Sequence, residues 1–145
     1  MELNLNSNST IFFDTAPFIY YFEDNPDYGQ LIDQLLSSIY KNNSSFVTSY
    51  ITYIELITKP KQLGRNDIVA KYRDYFTNSD NLSIYPLNLM VSEKVAEIRA
   101  HYNFKTPDAI QIATAIICGA DYIITNDKVW KKITEIPVLI LKDLI

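Results

Sequence analysis

Residues 11–22 read IFFDTAPFIYYF, and this stretch decides the fold. Ile11, Phe12 and Phe13 form a short apolar run of strand type, Asp14 ends it, and Pro17 suits the first turn of a helix over 16–22. The pattern returns in YIITNDKVW, residues 122–130, where a strand over 122–124 leads to Asp127 and a short helical turn over 129–132. Between these two stretches, Asn25-Pro26 breaks the chain before a helix over 27–40, whose Leu31, Ile32, Leu35, Leu36 and Ile39 share one face. A strand over 45–48 and a helix over 50–58, ending at Lys59-Pro60, follow. Next come a helix over 66–77, a strand over 82–85 punctuated by Pro86, and helices over 89–102 and 107–118. Gly119 reads as the stop of the last helix, and 137–141 as a final strand. Strands alternating with helices predict an α/β domain with a mainly parallel sheet of four to five strands flanked by helices. The polar lead MELNLNSNST occupies residues 1–10 and the domain 11–145. Ligand sites of such sheets lie outside the carboxyl ends of the strands. Parallel strands put Asp14 and Asp127 together on that edge.

Composition narrows the chemistry by exclusion. With 145 residues, 48% of them hydrophobic, the chain has the length of one domain and ample material for a core. The formal charge of -4 and pI near 4.9 exclude loose nucleic-acid binding by bulk electrostatics. Local basic clusters remain at Lys59, Lys61 and Arg65, and at Lys128, Lys131 and Lys132. A lone cysteine, Cys118, permits no intrachain disulfide and fits a reducing cytoplasm. The N-terminus lacks the layout of a signal peptide, and no apolar stretch approaches the roughly 20 residues of a membrane span. Three glycines cannot build a phosphate-cradling loop, and one His with one Cys cannot build a typical zinc site. A Ser–His–Asp triad would have to use His101, which has no nucleophile motif nearby. Carboxylate chemistry is what remains.

Four acids are candidates: Asp14, Glu55 in YIELIT, Asp108 in KTPDAIQIATA and Asp127. Each has a plain alternative. Asp14 can cap a helix, as can Thr125, Asn126 or Asp127. Asp108 follows Thr106 as cap and Pro107 at the first helical position, where a carboxylate offsets the helix dipole by about 0.3–1 kcal/mol. Glu55 stands four residues before Lys59 and can form a surface pair worth about 0.2–0.5 kcal/mol. Against that, Ile54, Leu56 and Ile57 surround it, and Ile51 shares its face. Jointly the four carry more, because helix caps do not require two Asp after core strands. Carboxylates so gathered repel by about 4 kcal/mol per pair at 4 Å and an effective dielectric near 20, so they need protons or a cation. Magnesium or manganese suits an all-carboxylate site.

The order FFDT…YIEL…TPDAIQIATA…IITND resembles the PIN-domain ribonucleases, especially the VapC-like toxins of toxin–antitoxin operons, from about residue 11 to 144. The resemblance implies a single PIN-like domain that hydrolyses RNA phosphodiesters. Asp14, Glu55, Asp108 and Asp127 would then be the catalytic acids and the ligands of Mg²⁺ or Mn²⁺. Thr125 matches a hydroxyl position that supports the site, and Thr15 stands where the family often has Thr or Ser. Ala16-Pro17 departs from the usual Ser and aliphatic residue without touching a ligand. A homodimer and an antitoxin partner are further implications. Lys59, Lys61 and Arg65 are candidate contacts to the RNA backbone, with a solvated loop as the plain alternative. Tyr20, Tyr21, Tyr50 and Tyr53 are candidates for base stacking or for the core. A haloacid-dehalogenase-type phosphatase would need a second acid where Ala16 stands, and a receiver domain fits poorly. A stand-alone RNA-processing nuclease, a DNA-directed nuclease and a non-catalytic interaction module remain as alternatives.

Overall fold

The computed structural model describes residues 7–145. Residues 1–6 of the polar lead lie outside that range, and the first strand already begins at Thr10. Five strands, β1 Thr10–Phe13, β2 Ser45–Ser49, β3 Leu82–Tyr85, β4 Tyr122–Thr125 and β5 Val138–Ile140, form one sheet in the order β3-β2-β1-β4-β5. Every neighbouring pair is parallel. Six helices connect or follow them: α1 Thr15–Phe22, α2 Gly29–Lys41, α3 Tyr50–Gln62, α4 Asn66–Asn78, α5 Leu89–Tyr102 and α6 Thr106–Ile117. Short 3-10 turns span Lys128–Lys132 and Leu141–Leu144. The chain builds outward from β1 to β3, then returns to the other side of β1 for β4 and β5. That reversal puts the topological switch point between β1 and β4, the strands whose ends carry Asp14 and Asp127.

β1 is apolar throughout its last three residues because the sheet is covered on both faces. Phe12 points to one face, among Val91, Val95, Ile98, Ile112, Ile123 and Trp130. Ile11 and Phe13 point to the other, where α1 to α4 supply Phe18, Ile32, Leu36, Ile39, Leu56 and Phe76. The period-2 alternation of a strand thus divides the three residues between two core clusters.

Helix ends differ from the sequence expectation where a turn or cap outweighs a residue preference. α3 does not stop at Lys59-Pro60 but runs to Gln62 with Pro60 buried inside it. Gly64, at φ 66°, ends the helix instead: Arg65 N–H donates to Pro60 O at 2.8 Å and Gly64 N–H to Lys61 O at 3.1 Å. This Schellman closure and the buried ring offset the one hydrogen bond that proline cannot donate. α6 closes the same way at Gly119, as its sequence suggested, through Ala120 N–H to Ala115 O and Gly119 N–H to Ile116 O. Its start differs: Lys105, not Thr106, is the cap residue, and Thr106 is already helical. α2 begins at Gly29 because the Asn25 side chain accepts from Asp27 N–H and Tyr28 N–H at 2.8 and 3.0 Å, holding that segment in a turn. Among the described residues no helix is long and apolar enough to cross a membrane.

Phe12 is fully buried in the central strand. Phe12→Ala is expected to lower stability by about 3–5 kcal/mol in a denaturant titration. A loss below about 1 kcal/mol would show that the core does not rest on β1.

Candidate active site

Asp14 leaves β1 still tied to the sheet, its N–H donating to Ile124 O at 3.0 Å. Its carboxylate is the acceptor for three donors. Oδ1 accepts from Thr15 N–H at 2.7 Å and Gln111 Nε2 at 3.2 Å, and Oδ2 accepts from the Thr125 hydroxyl at 2.7 Å. Asp14 is therefore the cap of α1 and a member of the acid group at once; the two readings of its sequence position coincide. Burial raises its pKa from 3.8 to about 6, although the hydrogen bonds from Thr125 and Thr15 oppose the rise. The charges of Asp108 and Glu55 add to it.

The other acids reach the same edge from different elements. Asp108, in the first turn of α6, has a pKa raised by burial and then by the charge of Asp127, with Lys105 opposing. Glu55, on the second turn of α3, is raised by burial and by Asp108, with the Thr15 hydroxyl opposing. No ion pair joins Glu55 to Lys59 among the described residues, so the surface-pair alternative fails. Asp127 accepts from Val129 N–H at 3.0 Å and caps the following turn, while its own N–H donates to the Thr125 hydroxyl at 3.1 Å. All four predicted acids thus lie within one electrostatic neighbourhood. Their donor atoms, carboxylate oxygens without thiolate or imidazole, suit a hard divalent cation. Among the described residues, however, no three His, Cys, Asp or Glu side chains converge as a finished metal cage. The set fits such an ion in chemical kind and charge.

Thr15 and Thr125, both buried, stand against Asp14. A third supporting residue escaped the sequence reading. Gln111 is 2% exposed and donates through Nε2 to Asp14, to Thr15 Oγ1 at 3.1 Å and to Thr52 Oγ1 at 2.8 Å. Its only signal was a lone amide in the apolar run AIQIATAII, one helical turn past Asp108. Asn126 braces the neighbouring loop: its Nδ2 donates to the Tyr20 hydroxyl at 3.2 Å and its Oδ1 accepts from Lys142 N–H at 3.1 Å.

The basic and aromatic candidates separate. Lys59 and Arg65 line a groove of about 270 Å³ together with Glu55, Leu56, Leu63 and Tyr72. Lys61, exposed on the last turn of α3, does not line it. Arg65 also holds Asp67 through two nitrogens at 3.1 and 3.0 Å. In the second cluster Lys131 lies 3.8 Å from Asp143, and Lys132 sits 4.5 Å over the Phe104 ring. Tyr20 stacks on Tyr28, Tyr21 packs against Phe22 and Tyr75, and Tyr53 against Phe76. Tyr50 alone of the four is an exposed ring.

The sign of the Asp14 shift fixes a pH dependence. A carboxyl whose folded pKa exceeds its unfolded one binds its proton more tightly in the fold, so stability falls as pH rises between the two values. The interval from 3.8 to about 6 corresponds to at most ~3 kcal/mol. In EDTA, denaturant titrations between about pH 4 and 7 are expected to show the wild type losing stability that Asp14→Asn retains, by roughly 2 kcal/mol. Equal pH slopes for the two proteins would mean that Asp14 is solvated.

The domain so described has relatives. The family model of the PIN domain matches residues 11–136. No curated protein sequence is significantly similar. Among solved structures, VapBC2 from Rickettsia felis bound to a DNA fragment from its promoter superposes with a TM-score of 0.73 at 18% identity, over 90% of this chain and 97% of that one. DNA-bound VapBC from Salmonella typhimurium gives 0.72 at 18% identity, over 92% and 98%. VapC20 of Mycobacterium tuberculosis, a sarcin–ricin loop cleaving toxin, gives 0.62 at 15% identity, over 78% and 86%. At these identities the structures speak for the fold, and the family model, spanning most of the sequence, speaks for descent: the chain belongs to the PIN domain family.

Proposed function

We propose that this protein is a metal-dependent endoribonuclease and the toxin of a toxin–antitoxin pair. The observation that carries the reading is Asp14: a carboxylate buried at the switch point, with the charges of Asp108 and Glu55 turned on it, ionises against its surroundings, and a cation beside it would offset that cost. Asp14, Glu55, Asp108 and Asp127 would hold one or two Mg²⁺ or Mn²⁺ ions. Such an ion, when bound, lowers the pKa of water and offsets the charge that develops on phosphorus. The chain's own groups do the rest. Thr15, Thr125 and Gln111 fix Asp14 so that it stays in place when it ionises. Glu55 and Asp127 are exposed, so either can take the proton of the attacking water as its oxygen bonds to phosphorus and the ribose oxygen leaves. Lys59 and Arg65, in the groove beside Glu55, attract the flanking phosphates.

The toxin part of the proposal draws on the neighbours, which include a toxin–antitoxin complex from Klebsiella pneumoniae and the promoter-bound VapBC2 of Rickettsia felis. By that analogy this chain takes an antitoxin partner; by the family resemblance it would form a homodimer in the cytoplasm and be silenced by an antitoxin seated over the acids. The groove beside Glu55, edged by exposed Ile19 and Leu63, offers an apolar seat for it. A stand-alone RNA-processing nuclease would share the chemistry but lack an adjacent reading frame encoding a small DNA-binding protein. A DNA-directed nuclease would differ in substrate alone, and a non-catalytic module would cut nothing.

With a mixed tRNA and mRNA pool, cleavage is expected in Mg²⁺ or Mn²⁺, none in EDTA, and at least about 100-fold less for Asp14→Asn. Absence of cutting with either metal, together with no Mg²⁺ binding by calorimetry, would leave only the interaction module. Lys59→Ala and Arg65→Ala are expected to weaken RNA binding and each to reduce the salt slope by about 1. Lys61→Ala should do so less; equal effects of all three would remove the groove from the RNA path.

A further inference from the structure

Beneath the acids lies a group of neutral polar side chains that solvent does not reach. Ser49, Thr52 and Gln111 are 1%, 0% and 2% exposed, and Thr15 is 6%. Four elements contribute: the end of β2, α3, α6 and the start of α1. Groups so placed must satisfy one another, and that requirement fixes the direction of each bond.

Ser49 decides the first. As cap of α3 its oxygen accepts from Ile51 N–H at 3.1 Å, so its one hydrogen is free to go to Gln111 Oε1, 2.5 Å away. The amide of Gln111 is thereby oriented: the carbonyl faces Ser49, and Nε2 faces Thr52 Oγ1, Thr15 Oγ1 and Asp14 Oδ1 at 2.8, 3.1 and 3.2 Å. Its two hydrogens serve Thr52 and the Thr15–Asp14 pair. Both threonine hydroxyls accept from the amide and stand 3.1 Å apart, so one must donate to the other. The amide and the two hydroxyls thus form one connected group that ends on the Asp14 carboxylate. Reversing the amide would turn a carbonyl oxygen on the Asp14 carboxylate.

We propose that Ser49, Gln111, Thr52 and Thr15 form a directed hydrogen-bond network that aims an amide donor at Asp14, with Ser49 setting its direction. Gln111 and Ser49 are then positioning residues that act through Asp14. One hydroxyl, on a strand end 35 residues after Asp14, settles which way the amide points at the carboxylate. The catalytic consequence rests on the ribonuclease reading; the direction of the chain does not.

The deciding experiment compares wild type, Ser49→Ala and Ser49→Thr by NMR without metal and by RNA-cleavage kinetics. In the wild type the Gln111 side-chain amide protons should exchange slowly and show cross-relaxation to the Thr15 and Thr52 methyl groups. Ser49→Thr, which keeps the hydroxyl, should preserve that signature and the rate. Ser49→Ala should lose the slow exchange and lower kcat about 10-fold with KM nearly unchanged, the usual scale for partners of ligating residues. Cross-relaxation from the Gln111 amide to the Ser49 β-protons in the wild type would overturn the proposal, even if Ser49→Ala failed to fold. So would a folded Ser49→Ala with unaltered amide protons and kcat. If the wild type cuts no RNA while the amide signature stands, the function is wrong and the chain is right.

Discussion

The constraint on which this structure turns is a carboxylate placed where water cannot fully solvate it. Asp14 caps α1, ends the central strand and faces two other acids, and each of these roles restricts the others. As cap it must point back at Thr15 N–H; as the residue after β1 it must lie between β2 and β4. Three donors hold it, yet burial still outweighs them and its pKa rises. A fold chosen for stability alone would put an amide or a hydroxyl there, since either caps a helix without a desolvated charge. The cost is therefore a mark of use, and the surrounding structure is arranged to bear it.

That arrangement explains why neutral donors cluster under acids that carry like charges. A basic side chain beside Asp14 would relieve the repulsion but would also cancel the negative field of the group. Thr125, Thr15 and Gln111 supply hydrogen bonds without charge, so they orient the carboxylate and leave its field unspent. Lys59 and Arg65 stand farther out, in the groove beside Glu55, and Lys61 on the exposed last turn of α3. Lys105, the one cation whose charge reaches Asp108, only partly opposes its rise.

Much of this was legible in the chain, and the boundary between what was and was not is physical. β1 and β4 with Asp14 and Asp127 announced themselves because a strand followed by an acid is a local pattern, Glu55 and Asp108 as acids in apolar helical patterns, and the parallel sheet followed from the alternation of elements. Asp14 as cap and Asp127 as cap were readable for the same reason. The passage of α3 through Pro60 was not, because the stop depends on Gly64 and a closure that outweighs the missing donor. Gln111 was invisible in another way. Its partners Ser49, Thr52 and Thr15 are 62, 59 and 96 residues away, so nothing in its own neighbourhood reveals that one amide must satisfy them. Lys61 does not line the groove with Lys59 and Arg65, because α3 runs through Pro60 to Gln62 and the segment is not the loop its sequence suggested.

The pairing of β1 with β4 has a bearing on how the protein is made. Asp14 receives a backbone bond at Ile124 and a side-chain bond from Thr125, so its surroundings are completed by a strand more than a hundred residues later. A ribosome emits the chain from its N-terminus, and partners so distant in sequence are joined last. Until β4 docks, Asp14 lies at the open edge of a sheet, solvated and without the hydroxyl that fixes it. A nascent chain of this kind lacks the finished acid site until β4 has emerged, and the assembly of the sheet itself times its completion.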